Sequence, residues 1–189
     1  MYATLSGDAP AHEAWSAFWQ EPRQTMCLAG ARDVQREVTA VWRDFAAARA
    51  PHARVLDLGC GAGAVARALI AARQDLHVTG VDFAAIPRLR GAALDLTPRI
   101  AMEDLPFADA SFDAAVSQFG FEYSDCARSA REMVRVLKPK AAFTLLVHHA
   151  ASSIVAASSA RARALDSVLG VRMRTAFLAG DAIALRAQF

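Results

Sequence analysis

Three cysteines in 189 residues, Cys27, Cys60 and Cys126, are too few for a disulfide framework, and none forms a C-x-x-C pair or joins histidines at zinc-ligand spacing. The sparse, odd count is that of reduced thiols in a cytoplasm. No run of five or six like charges occurs, and a formal net charge of +2 does not indicate a nucleic-acid surface. No apolar stretch reaches the roughly 18 uninterrupted residues a spanning helix needs. The start, MYATLSGDAPAHEAW, lacks the basic-then-apolar order of a secretory leader. Repeats and low-complexity linkers are missing too. These absences predict one cytoplasmic, metal-free globular domain with neither a membrane nor a nucleic acid as partner.

What is present is an alternation of short apolar runs with helical patterns. From about Ala11 to Ala50 the spacing is helical, with Trp15, Phe18 and Trp19 on one stripe and Val34, Val38, Val41, Trp42 and Phe45 on another. Pro51 ends that run. ARVLDLG then reads as a buried strand, AGAVARALIAARQ as a helix, HVTGVDF as a strand and PRLRGAALDL as a short helix or loop. RIAMEDL suggests a third strand, FDAAVSQFG a fourth, DCARSAREMVRVLKP a helix closed by Pro139, and AAFTLLVHH a fifth strand. Strands alternating with helices predict an α/β fold, a doubly wound, mostly parallel sheet covered on both faces. The organisation expected is a helical cap at 1–50, a core at 51–150 and a helical segment of the same domain at 151–189.

The stretch VLDLGCGAGAVARAL, residues 55–69, puts three glycines at the carboxyl end of the first strand, where doubly wound folds bind ligands. Gly59, Gly61 and Gly63 permit a tight turn and let a ligand approach the amides at the helix start. Asp82 follows about 20 residues later at the end of the next strand, where a carboxylate can accept from ribose hydroxyls. These features alone fit a nicotinamide-dependent oxidoreductase as well as another nucleoside-binding protein, since Gly59, Gly61 and Ala64 satisfy G-x-G-x-x-G/A.

Further motifs, in order, narrow the choice: Asp57 before the glycines, GVDF, LPFADASFD at 105–113, and REMVRVLKPKAAFTLLV. Taken together the stretch 54–149 resembles the class I S-adenosylmethionine-dependent methyltransferases of small molecules. The resemblance implies a Rossmann-like fold and a site for S-adenosylmethionine, with S-adenosylhomocysteine as product. It places Asp57 and the turn of Gly59, Cys60 and Gly61 near the methionine end, Asp82 on the ribose and Phe83 beside the adenine. Met102 and Glu103 would border the adenine edge, and Ser117 and Gln118 would face the methionine and the substrate. Cys60 fits the turn as a small residue.

Transfer from a sulfonium needs alignment and exclusion of water more than acid–base machinery. No catalytic residue stands out; Glu122, Tyr123 and His148 are the candidates nearest the expected mouth, with His149 beside them. Trp15 and Trp19 on the aromatic helix, together with Tyr123, are expected to form a lid over cofactor and substrate. The acceptor expected is a small molecule. Three departures from the family pattern stand out: Ala101 where an acidic residue is common, KPKA for KPGG, which puts Lys140 at a glycine position, and helical spacing at 150–189 where a terminal antiparallel hairpin is usual. The last suggests a truncated chain, or an edge covered by helices or by a homodimer partner through Val168, Leu169, Phe177 and Leu178. A protein that binds S-adenosylmethionine without catalysis stays open as an alternative.

Overall fold

The computed structural model describes residues 9–20 and 32–152, with Val155, Ala156, Ser159, Ala160 and Arg163 beyond them. The tail segments 164–189, Cys27 and the stretch 21–31 of the long helical pattern lie outside the described residues. The chain divides into two compact units, Met1–Val147 and His148–Phe189. The first carries helices α1 (Ala9–Gln20), α2 (Arg32–Ala47), α3 (Ala64–Ala72) and α4 (Cys126–Val136). Its strands are β1 (Arg54–Leu58), β2 (His77–Asp82), β3 (Leu89–Arg90), β4 (Leu94–Pro98), β5 (Phe112–Gln118) and β6 (Leu137–Leu146). Among the described residues no helix is long and apolar enough to cross a membrane.

The six strands form one sheet in the order β3-β4-β2-β1-β5-β6. All neighbours pair in parallel except β3 with β4, where Leu89 opposes Leu96. Buried on both faces, the central strands are apolar on both, and their side chains alternate between two cores. Val55, Val78, Ala114 and Val116 join Trp42, Phe45, Val65 and Leu69 on the side of α2 and α3. Leu56, Leu58, Val81, Phe112 and Ala115 join Met133 and Val136 of α4 on the other. Each wholly buried leucine or phenylalanine here stabilises the fold by about 1.5–3 kcal/mol. In α2 the stripe Val38, Trp42, Phe45 and Ala46 turns inward, while Asp125 caps α4 by accepting from the Ala127 and Arg128 amides, each at 3.1 Å.

The order of elements departs from the sequence expectation in three places. PRLRGAALDL is neither helix nor simple loop: it holds β3 and the start of β4, so no helix joins β2 to β4. RIAMEDL is not a strand, because β4 ends at Pro98 and Arg99 takes a φ of +61°, turning the chain into a loop. Pro139 does not close α4, which ends at Val136; it lies inside β6. There Phe112 pairs with Leu137 but Ala114 pairs with Ala142, so Lys138, Pro139 and Lys140 bulge from the ladder, and Lys140 adopts a φ of +64°. A proline that cannot donate is tolerated at such a bulge.

Candidate functional site

β1 ends at Leu58, and the chain passes through Gly59, Cys60, Gly61, Ala62 and Gly63 before α3 begins. The three glycines have φ of +69°, +50° and +80°, left-handed backbone that side chains rarely adopt. The Gly59 and Cys60 amides both donate to the Val81 carbonyl, at 2.9 and 3.0 Å, pinning the turn across the end of β2. The Gly61 amide donates to Asp82 Oδ2 at 2.7 Å, and the Ala84 amide donates to Asp82 Oδ1 at 2.8 Å. Asp82 therefore braces the turn and the loop after β2 at once. On the far side Gly59 meets Gly120, so closely that a Cβ on Gly59 would stand 3.1 Å from the Gly120 Cα. Here β1 and β5 diverge, and helix α3 follows one strand while the 3-10 turn Phe121–Tyr123 follows the other.

Asp57 lies beneath this turn, wholly buried, and neither carboxylate oxygen has a hydrogen-bond partner. Burial, reinforced by the charge of Asp82, pushes its pKa up to about 7, while the Ala66 amide opposes the rise without meeting hydrogen-bond geometry. Cys60 is buried beside the pair, and its thiol is raised well above its usual range, first by burial and then by the two carboxylates. A thiol so placed is a neutral packing group. Among the described residues no group of three His, Cys, Asp or Glu could hold a metal ion.

The other sequence-predicted residues divide between exposed positions and braces. Phe83 is 40% exposed just after Asp82. Met102 is buried against the turn, with Cε 3.5 Å from where a Gly59 Cβ would stand. Glu103 accepts from the Asp125 amide at 2.8 Å, tying the loop after β4 to the start of α4. Ser117 is fully buried and donates to the Leu58 carbonyl at 2.7 Å. Gln118 accepts from Trp42 Nε1 at 2.6 Å, fastening the end of β5 to α2.

Helix α1 reaches the same region. The Ala85 amide donates to Ser16 Oγ at 2.9 Å, and the Trp19 indole lies directly against Gly61. Trp15 meets Tyr123 edge-on with ring centroids 5.2 Å apart, and Phe18 bridges Trp15 and Trp19 at 5.6 and 4.9 Å. Trp15, Trp19 and Tyr123 are thus brought together at the carboxyl ends of the strands, and Glu122 is half-buried on the adjoining 3-10 turn. His148 and His149 belong to the second unit.

One device went unread in the sequence. The Arg135 guanidinium donates to the Leu105 and Phe107 carbonyls at 2.9 and 2.7 Å, and pairs with Glu132 at 2.7 Å and Asp109 at 2.8 Å. Glu132 in turn accepts from the Leu105 amide at 2.8 Å. LPFADASFD is thereby a clamped loop that replaces a helix between β4 and β5. Only the Glu132 and Arg135 spacing, three apart on one helix, hinted at it. Gly120 and the Trp42–Gln118 bond were unread as well.

Known proteins resemble this chain in sequence and in fold. Residues 56–145 match the family described as the methyltransferase domain. The ubiquinone/menaquinone biosynthesis C-methyltransferase of Geotalea daltonii is 40% identical over 113 residues, which cover 52% of this chain and 48% of that protein. The glycine/sarcosine/dimethylglycine N-methyltransferase of Actinopolyspora halophila is 34% identical over 132 residues, 65% of this chain and 22% of that protein. The crystal structure of the YcgJ protein from Bacillus subtilis superposes with a TM-score of 0.53 at 25% identity, covering 69% of this chain and 58% of that one. The chain spans about half the length, or less, of these curated relatives. Sequence and fold agree over the same span: residues 56–145 are similar to the methyltransferase domain.

Proposed function

We propose that this chain is an S-adenosylmethionine-dependent methyltransferase acting on a small-molecule acceptor, with S-adenosylhomocysteine as product. The observation that carries the reading is the juxtaposition of a left-handed glycine turn with a buried carboxylate, Asp57, that has no partner of its own. A turn of glycines lets a ligand approach backbone amides, and an unsatisfied buried carboxylate calls for a cation. When bound, S-adenosylmethionine supplies a methyl group already activated by its sulfonium.

Gly59, Cys60 and Gly61 provide the backbone floor of the site, and Asp57 takes the cationic methionine end. Asp82, held at the end of β2 by the Gly61 and Ala84 amides, accepts from the ribose hydroxyls. Exposed Phe83 offers a face for the adenine, bordered by Met102 and Glu103. Trp15, Trp19 and Tyr123 exclude water from the transfer and align the acceptor. Ser117 and Gln118 shape this wall from behind, through Leu58 and Trp42. Glu122 and Tyr123 are the side chains placed to take a proton from an acceptor that carries one. The relatives are named for carbon and for nitrogen methylation, which keeps the acceptor at the level of a small molecule.

Calorimetric titration of the purified chain with S-adenosylmethionine, S-adenosylhomocysteine and NADH tests the reading, with oligomeric state measured on the same sample. Micromolar binding of the first two and none of NADH is expected, and Asp82→Ala should weaken it by about 1.5–3 kcal/mol through the lost amide and hydroxyl bonds. Failure of the folded protein to bind either sulfur compound overturns it.

A further inference from the structure

Two carboxylates stand together at the glycine turn, Asp57 from β1 and Asp82 from β2, and they are not equivalent. Asp82 accepts from two backbone amides. Asp57 accepts from none, is fully enclosed, and forms no salt bridge among the described residues. The groups facing it are the Asp82 carboxylate, the neutral Cys60 thiol of the turn and the Ala66 amide of α3. A buried carboxylate without a partner, next to a second carboxylate, keeps its charge only when a cation arrives to pair with it.

We propose that Asp57 holds a proton while the glycine turn is empty and releases it to solvent as the positively charged end of the methyl donor settles there. The proposal rests on the methyl-donor reading above. In the step, the Asp57 O–H bond breaks, the electron pair stays on the carboxylate, the proton passes to buffer, and the new anion pairs with the incoming cation. The position of Asp57 near pH 7 puts this exchange in the neutral range. The donor carries one more positive charge than the product, whose sulfur is neutral. Donor binding therefore releases more proton than product binding, and return of the proton weakens the donor more than the product.

The test is calorimetry of the full chain with S-adenosylmethionine and with S-adenosylhomocysteine, in two buffers of different ionisation heat, across pH about 5.5 to 8. The expected result is release of close to one proton per donor bound near pH 6, and donor affinity that rises about tenfold per pH unit and levels off above 7. The product should release less. Asp57→Asn, with a cooperative melt as proof of folding, should bind more weakly with no proton release and a flat profile. Should that variant not fold, the proton count of the wild-type chain decides alone. Donor binding with no proton exchange and unchanged affinity across the range overturns the linkage while the methyl-donor reading stands. No binding in any buffer overturns both.

Discussion

The indole of Trp19 lies against the open side of Gly61, where a Cβ would overlap the ring carbons. In the proposed reading, the glycine over which a ligand would enter the turn also seats a ring from α1. A ligand entering over the turn must restack or displace that ring, so tryptophan emission should change on titration with S-adenosylmethionine and change much less in Trp19→Phe. Trp42 is 1% exposed and bonded to Gln118, so it contributes a steady background. Binding seen by calorimetry without an emission change would separate α1 from the site. Gly61→Ala, at a φ of +50° and under the ring, should cut affinity tenfold or more, about 1.4 kcal/mol.

Asp57 works against the fold at neutral pH. Its pKa is raised from 3.8 to about 7, so the folded state holds the proton more tightly than the unfolded state. Stability is greatest below 3.8 on this account and declines as pH rises through 7. The full difference is about 4 kcal/mol at 1.36 kcal/mol per pH unit. Asp57→Asn should leave the melting temperature near that of the parent in acid and raise it at pH about 8, while ligand affinity falls. Parallel pH profiles for the two proteins would remove Asp57 from the stability balance.

Arg135 should govern the acid side. The Arg135 guanidinium, and next the Leu105 amide, hold Glu132 down at about 2 from an ordinary 4.5, so this contribution is present above 4.5 and is lost as pH falls toward 2. Arg135→Ala should lower the urea midpoint and flatten that acid decline. Arg135→Lys should recover little, because a single ammonium cannot reach two carbonyls and two carboxylates. Full recovery by lysine would mean that charge alone, and no fork, holds the loop.

Gln118→Ala separates a brace from a ligand contact. It leaves the buried Trp42 Nε1–H without its acceptor, at a cost of about 1–3 kcal/mol in urea unfolding. Affinity for S-adenosylmethionine should hold within about twofold, less than 0.5 kcal/mol. A large affinity loss with unchanged stability would restore Gln118 to the ligand wall.

Gly120→Ala tests the seam between β1 and β5. Gly120 has a φ of −124°, which suits any residue, but its Cβ would stand 3.2 Å from the Gly59 Cα. Backbone on both sides must shift, so a loss of about 1–3 kcal/mol is expected. Wild-type stability would show that the seam yields freely.

Much of this was legible along the chain. The parallel core, the glycine turn and Asp82 at the end of the next strand rest on short apolar runs and on residue types that only certain backbone positions tolerate. The third strand was misplaced, at RIAMEDL instead of Leu94–Pro98, because LDLTP is short and half polar and is held in the sheet by its pairing with β2 and β3. Pro139 read as a helix stop because proline breaks helices, yet a bulge in an edge strand accepts it equally well.

The sequence by itself determined where a glycine turn had to lie and which carboxylates stood near it, since conformational freedom and periodicity belong to neighbours along the chain. Only the tertiary structure decided which polar atoms are satisfied. Ser117 finds Leu58, Gln118 finds Trp42, Glu103 finds Asp125 and Asp82 finds Gly61, all partners distant in sequence. Asp57 finds none, because the strand that delivers it is buried on both faces and the turn above it is closed by Gly120 and Trp19. That unmet hydrogen-bonding capacity is a property of three-dimensional packing, and no local pattern encodes it.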